Sequence, residues 1–471
     1  MTPADPAPVE PTTAHRRARL LVPLGLALLA TAAYGLLGTQ QWRNLVAPSW
    51  DLGIFTQLAK AYGTVSAPIV PIKGDEVNLL GDHFHPILVL LAPVWWIWPS
   101  GLALLWTQAL LFGASAIPLT RLAIDRLGAP LGVLAGAAYV FSFGLQSAAA
   151  VQFHEIAFAV LLLALSLTAL LRGRVLGAAL WAAPLVLVKE DLGLTVAVLG
   201  AVIAWRHREH LRTGLGLAVW GGAWFLASTF VILPALNTAG QYDYTDNLGS
   251  VLEVFWPPAK YQLVLMLVLA AGVVGLRSPL MLLMLPTLAW RFTGTVEFYW
   301  DWYWHYNAVL MPIALAALLD ALGDRRSGRA GSWGRGERPR PGRTVAVVAV
   351  SLSAAVTLAL GPRMPVLDVL RPESWELTWR AEPAAAALEA VPDGAVVAVD
   401  ISLLAPAVTD HEVQWMHGPN TRVPECVLVD EMNFAWGGTP PADAAAWAAE
   451  EWGVAYETRY EDGGFVVACR P

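Results

Sequence analysis

Eleven apolar segments divide this chain, at residues 20–38, 101–120, 130–150, 155–171, 175–188, 191–205, 214–235, 260–276, 278–290, 305–322 and 344–361. In hydrocarbon the backbone has no water to bond, so segments of this kind fold as membrane helices. Arg-rich clusters stand between them and test the threading. With the N-terminus in the cytoplasm, residues 121–126, 171–174 and 206–212, Arg277, and the seven-arginine stretch 323–343 all fall on the cytoplasmic side. No basic cluster falls on the other face, as the positive-inside bias requires.

Composition agrees with a membrane protein. Hydrophobic residues make up 56% and charged residues 14%, where soluble domains carry about 25% charged residues. The 22 tryptophans suit membrane–water interfaces. The net charge of −7 gives no footprint for nucleic acid. It is uneven: residues 361–471 hold six Arg, no Lys and eighteen Asp plus Glu, a net −12, which leaves +5 on the rest.

The expected fold is mainly α, a plasma-membrane helix bundle of about eleven spans with a small C-terminal extracytoplasmic α/β domain. Residues 1–19 are expected to be a disordered cytoplasmic N-terminus. The run from Leu20 follows Arg16, Arg17 and Arg19 and has no small-residue cleavage site after it, so it reads as an uncleaved first span. A polytopic domain then covers 20–322, with a long first outer loop at 39–100. An Arg-rich cytoplasmic linker occupies 323–343, the last span 344–361, and the outer domain 362–471. Ile87–Trp98 is apolar but short and broken by prolines, so it reads as a re-entrant or interfacial segment. In the outer domain, strands are expected at 395–400, 426–430 and 464–470, the first two ending in Asp400 and Asp430, with helices at 384–390 and 442–452. Cys426 and Cys469 either form a disulfide, as an outer compartment permits, or stay as buried thiols.

The polar motifs fall on the face opposite the arginines. Asp51 opens an amphipathic helix in which Leu52, Phe55, Leu58 and Ala59 share one side. It can cap that helix, act as a base, or do both. Asp82, His83 and His85 precede the re-entrant segment, and His154 with Glu155 opens a span. Imidazoles beside carboxylates fit a divalent metal or a hydrogen-bonded headgroup contact. The metal candidates are therefore Asp82, His83, His85, His154 and Glu155, and no other cofactor is expected. Lys189, Glu190 and Asp191 form a hairpin tip between two short apolar runs. An ammonium at headgroup depth can bind a lipid phosphate or pair with its neighbours. Trp50, Trp300, Trp302, Trp304 and His305 can stack on a sugar ring, or the rings form an interface belt. The polar loop 237–250 is a candidate lid.

Four of these motifs together resemble a family of bacterial predicted membrane proteins, the domain of unknown function 2079. They are Asp51 to Gln57, Gly81 to Pro86, Phe153 to Glu155 and Lys189 to Asp191. The resemblance spans roughly residues 20–430 and includes Tyr303 to Tyr306. More distantly, the layout is similar to the GT-C class of membrane glycosyltransferases, whose acidic catalytic residue lies early in the first outer loop, where Asp51 stands. That resemblance implies an inverting transfer from a polyprenyl-phosphate-linked sugar donor to a cell-envelope glycan, lipid or protein acceptor. Asp51 is then the base, and Lys189, His83, His85 and Arg291 meet the donor phosphate. Asp82, His154, Glu155, Glu190, Asp191 and Gln57 support them. No metal-binding acidic pair of that class is matched, so metal dependence stays open. Two other classes compete. A transporter or flippase of a polar lipid or solute needs charges running through to the inner face. A scaffold or sensor would use its acidic outer domain to bind a partner.

Overall fold

The computed structural model describes residues 13–45, 50–244, 247, 249–323, 329–331 and 338–471. The readings made for residues 1–12 and for most of the 323–343 linker lie outside the described residues. All eleven apolar segments are helical. In chain order the first elements are α1 (Thr13–Asn44), α2 (Trp50–Gly63), α3 (Ala92–Ile97), α4 (Gly101–Leu127) and α5 (Ala129–Val140). Then come α6 (Phe143–Ala150), α7 (Ile156–Leu171), α8 (Val175–Ala182), α9 (Leu192–Arg206) and α10 (Leu211–Ala227). The first helix begins at Thr13, inside the stretch expected to be disordered.

Length separates the helices into two kinds. Among the described residues five are long and apolar enough to cross a bilayer: Arg19–Asn44, Gly101–Leu127, Ala129–Ala150, Arg208–Leu236 and Arg343–Arg363. A sixth arises if Glu297–Asn307 and Leu310–Leu322 are one span bent by 68°. Ile156–Leu171, Val175–Leu187, Leu192–Arg206 and Ala259–Ala270 are shorter. By length and composition, then, five or six of the eleven expected spans are full-length helices among the described residues. Proline supplies part of the reason, because it removes a helical N–H and clashes with the preceding turn. After α8 the chain tightens to a 3-10 turn at Ala183–Leu187, with Pro184 at its start. Pro279 opens another at Pro279–Met284. Such interruptions are tolerated at membrane depth where protein surrounds them. Here Leu185, Val186, Leu280 and Leu283 are all buried in the bundle core.

Small residues set the closest crossing. A side chain at Gly193, Gly200, Gly214 or Gly221 would run into the facing backbone where α9 meets α10. This is the small-residue packing that membrane helices favour. The basic clusters meet at one end of the bundle. Asp125 takes Arg19 at 2.6 Å and Arg172 at 3.3 Å. Arg206 pairs with Asp320 at 2.8 Å, and Arg126 donates to the Leu319 and Leu171 carbonyls. The loop that opens α7 lies at its other end.

The C-terminal domain is a five-stranded mixed sheet. Its strands are β1 (Val396–Val399), β2 (Glu412–Trp415), β3 (Cys426–Asp430), β4 (Glu457–Asp462) and β5 (Phe465–Cys469), in the order β2-β1-β3-β5-β4. β1 runs parallel to β2 and β3, and β5 runs antiparallel to β3 and β4. Successive strand residues face opposite sides, as the pleat requires. Val397, Val399, Leu428 and Val467 pack with helix Ala381–Glu389, while Ala398, Val427, Val429 and Val466 pack with Ala444–Trp452. Cys426 and Cys469 are register partners on β3 and β5 and are joined as a disulfide. β2 and β4 are additions to the sequence reading; β4 is almost wholly exposed, so its residues carry no apolar alternation.

This domain shares a core with the first outer loop. Leu52, Phe55, Leu58 and Ala59 of α2 lie in one cluster with Val397, Leu403, Leu404 and Leu428. Lys60 donates to the Val408, Thr409 and His411 carbonyls at 2.6, 3.2 and 3.0 Å. Gln57 donates to Val413 O at 2.8 Å and accepts from Ile72 N at 3.0 Å. The helix that carries Asp51 is thereby clamped to the domain. Replacing Lys60 by Met strands three carbonyls, and we expect it to cost about 2–3 kcal/mol. Thermal unfolding of the purified protein, with limited proteolysis at 362–395, reads that loss.

Candidate active site

One cavity of about 500 Å³ opens between α2, the first outer loop, the break before α7, the α8–α9 hairpin tip and the aromatic loop around residue 300. It is lined by Trp50, Asp51, Asp82, His83, His85, His154, Glu155, Lys189, Trp304 and His305. Motifs separated by more than 250 residues therefore converge on one space.

Asp51 sits in the first turn of α2, with its side chain 45% exposed. Behind it stands His154, in the irregular stretch between α6 and α7. Gln108, a lone buried amide of α4, holds that stretch open. It donates to Gln152 O at 2.9 Å and accepts from His154 N at 3.1 Å. Gln152 itself takes a left-handed φ of 69°. The His154 ring meets Gln152 O through Nδ1 at 3.2 Å and turns Nε2 to Asp51 Oδ2 at 3.4 Å. His305 stacks on it at 3.7 Å.

The three charges of the hairpin tip have three separate partners. Lys189 Nζ donates to Glu155 Oε1 at 3.0 Å, both side chains being almost wholly buried. Lys189 supplies the counter-charge that this buried carboxylate needs. An ammonium carries three donors, so this bond leaves Lys189 able to donate into the cavity it lines. Glu190 turns away. It accepts from His83 Nδ1 at 2.8 Å, Phe84 N at 3.1 Å and the Tyr242 hydroxyl at 3.1 Å. Asp191 accepts from Trp290 Nε1 at 3.0 Å.

Asp82 pairs with Lys73 at 2.7 Å and accepts from the Tyr244 hydroxyl at 3.0 Å. Tyr244 stacks on His83 at 4.4 Å. The loop proposed as a lid therefore lies against the cavity through Tyr242 and Tyr244; residues 245, 246 and 248 are outside the described set. Burial would raise the Asp82 carboxyl, yet His83 and Lys73 bring it below its usual value. His85 is buried, with Nδ1 unpartnered among the described residues. Burial takes its imidazole down to about 4, against the pull of Glu155.

Several expected site residues lie elsewhere. Arg291 is fully buried and spends its guanidinium on Tyr299 O, Asn307 Oδ1 and Asp301 O. It braces the aromatic loop and does not line the cavity. Trp300 and Trp302 pack against the bundle core, Trp300 lying beside the Lys260 ammonium. Gln57, Glu190 and Asp191 hold loops, as described above. Among the described residues, Asp82, His83, His85, His154 and Glu155 included, no three His, Cys, Asp or Glu side chains are grouped to hold an ion.

Other lining residues escaped the sequence reading. Lys73 sits in the turn after Pro71, followed closely by Asp75 and Glu76, and reads from sequence as one of a solvated charge group. Tyr299 and Tyr306 were legible as part of the aromatic run. Trp436 comes from the outer domain, just before Gly437 and Gly438.

A model of the family DUF2079, described as predicted membrane protein, matches residues 41–451. The chain belongs to this family. No curated protein sequence matches it. Its fold is similar to the crystal structure of ArnT from Cupriavidus metallidurans bound to undecaprenyl phosphate. The TM-score is 0.58 at 11% identity, over 94% of this chain and 97% of that one. ArnT is a GT-C glycosyltransferase, and the fold of this chain is of that kind.

Two outcomes follow from the site's electrostatics. Glu155→Gln leaves a buried ammonium without its counter-charge and should destabilise the protein by about 3–5 kcal/mol, read as a lowered unfolding temperature. His85 has a folded pKa below its ordinary value, so the unfolded chain binds its proton first. Stability from this group is whole above about pH 6.5 and is lost as pH falls toward 4. We expect His85→Phe to flatten the decline of unfolding temperature across that window.

Proposed function

We propose that this protein is a membrane glycosyltransferase. It moves a sugar from a polyprenyl-phosphate donor to an extracytoplasmic acceptor with inversion. The observation that carries this reading is the meeting of Asp51, His154 and the Lys189–Glu155 pair in one cavity of a GT-C fold.

The acceptor hydroxyl enters beside Asp51. Its oxygen attacks the anomeric carbon as Asp51 takes the proton, and the bond to the phosphate oxygen breaks on the opposite face. With Nδ1–H donated to Gln152 O, His154 Nε2 is the nearest acceptor for that proton. Lys189 meets the negative charge that grows on the leaving phosphate. Glu155 keeps that ammonium charged and aimed. Lys73 and His83, at the Asp82 side, extend the polar wall along the phosphate. The apolar and aromatic walls suit the prenyl chain. The undecaprenyl phosphate held by ArnT supports a donor of this class. The basic clusters at the far end of the bundle support an outward-facing site.

Asp51→Asn should lower transfer by about 10²–10⁴-fold, the scale of losing a general base. The half-exposed side chain leaves the unfolding temperature unchanged. Sugar transfer in membranes supplied with polyprenyl-phosphate-linked sugars measures it, and wild-type rates in the variant would reject the reading. Lys189→Met should abolish binding of undecaprenyl phosphate to the purified protein in nanodiscs.

A further inference from the structure

The C-terminal domain puts one side chain into the cavity, Trp436, and holds it in an unusual backbone turn. Trp436 lines the cavity wall yet remains 53% exposed. It and Ala435 before it both take left-handed backbone, at φ 58° and 44°. Two consecutive residues with side chains persist there only when their surroundings fix them. Two buried carboxylates do so, at the ends of the neighbouring parallel strands β1 and β3. Asp430 accepts from Met432 N at 3.0 Å and Asn433 N at 3.2 Å. Asp400 accepts from Ala435 N at 3.2 Å. The result is a Trp presented edge-on to Trp50 at 5.2 Å and close to Trp415 at 5.1 Å, with Trp50 and Trp415 at 4.8 Å. Three chain segments meet in that triad, and one of its rings adjoins Asp51.

We propose that Trp436 and Trp50, backed by Trp415, form the acceptor platform, and that it takes the ring of an uncharged glycan. This deepens the glycosyltransferase reading and rests on it. Indole faces suit the C–H face of a pyranose, where the stacking is apolar and the ring hydroxyls stay wet. The domain that carries Trp436 bears a net −12 over residues 361–471, and the Asp51 carboxylate stands at the same mouth. An anionic acceptor would meet like charge on both sides. A platform beside Asp51 also delivers the acceptor hydroxyl to the base, while Lys189, lining the same cavity, holds the phosphate. Asp400 and Asp430 are positioning residues, acting through the backbone of the Trp436 loop.

The test is equilibrium dialysis of full-length protein in nanodiscs against radiolabelled neutral trisaccharides (maltotriose, isomaltotriose, mannotriose), with sulfated maltotriose as the charged control. Undecaprenyl phosphate binding is measured on the same samples. We expect saturable binding of at least one neutral trisaccharide and none of the sulfated one. Trp436→Ala should weaken it about tenfold, as removal of one aromatic anchor does, and Trp436→Phe should stay within about threefold. Undecaprenyl phosphate binding should be equal in all three proteins. The platform is overturned if no neutral trisaccharide binds, if the sulfated one binds as well, or if Trp436→Ala binds as wild type does. It is also overturned if Trp436→Phe loses as much as Trp436→Ala, since the effect would then be structural. Wild-type protein that binds undecaprenyl phosphate but no neutral trisaccharide rejects the platform alone; absence of undecaprenyl phosphate binding from the wild type rejects the donor assignment.

Discussion

An ammonium held inside a helix bundle must find a counter-charge, and the pairing of Lys189 with Glu155 organises this site. Removing either ion from water costs several kcal/mol, so the pair is sustained only by close geometry. It fixes the α8–α9 tip against the break before α7. The next residue extends the constraint. Glu190 takes a side-chain and a backbone N–H from the first outer loop and a hydroxyl from the 237–250 loop. Asp191 reaches the Trp290 indole. Three adjacent charges thus anchor three different neighbours, which a solvated charge run would not do.

The second organising feature is the shared core of α2 and the outer domain. Asp51 belongs to a short helix that would lie loosely on a membrane surface by itself. Lys60 and Gln57 bind it to the domain's backbone, and its apolar face completes the domain's core. Asp51, the cavity mouth and Trp436 are consequently one mechanical unit. This gives the domain a part in building the site, beyond packing upon it.

Much of this was legible in the residues. Apolar runs marked the helices of the bundle, because such segments partition into lipid. The chemistry-bearing motifs were also legible, since charges in an apolar chain are too costly to be incidental. What the sequence hid was direction. Arg291 has the charge for a phosphate, yet its fork satisfies carbonyls in a tight aromatic loop. Glu190 and Lys189 are neighbours in sequence but face different partners. Trp436 gave little signal, because the turn that presents it depends on Asp400 and Asp430, brought together by sheet pairing.

Likeness of fold at 11% identity fixes little of the chemistry. What a bundle with short inner helices does determine is a place. Helices that stop below the surface leave room between their ends, and loops must close over it. Any polar group on those ends is then partly withdrawn from water, where a fixed charge acts strongly on a ligand. Asp51 is the exception that makes the place usable. It is nearly half exposed, with a buried imidazole behind it and a buried ammonium lining the same cavity. A carboxylate open to an incoming hydroxyl and a cation with donors to spare are the two poles that a displacement at a sugar phosphate needs. Their common cavity, more than the fold around it, carries the functional argument.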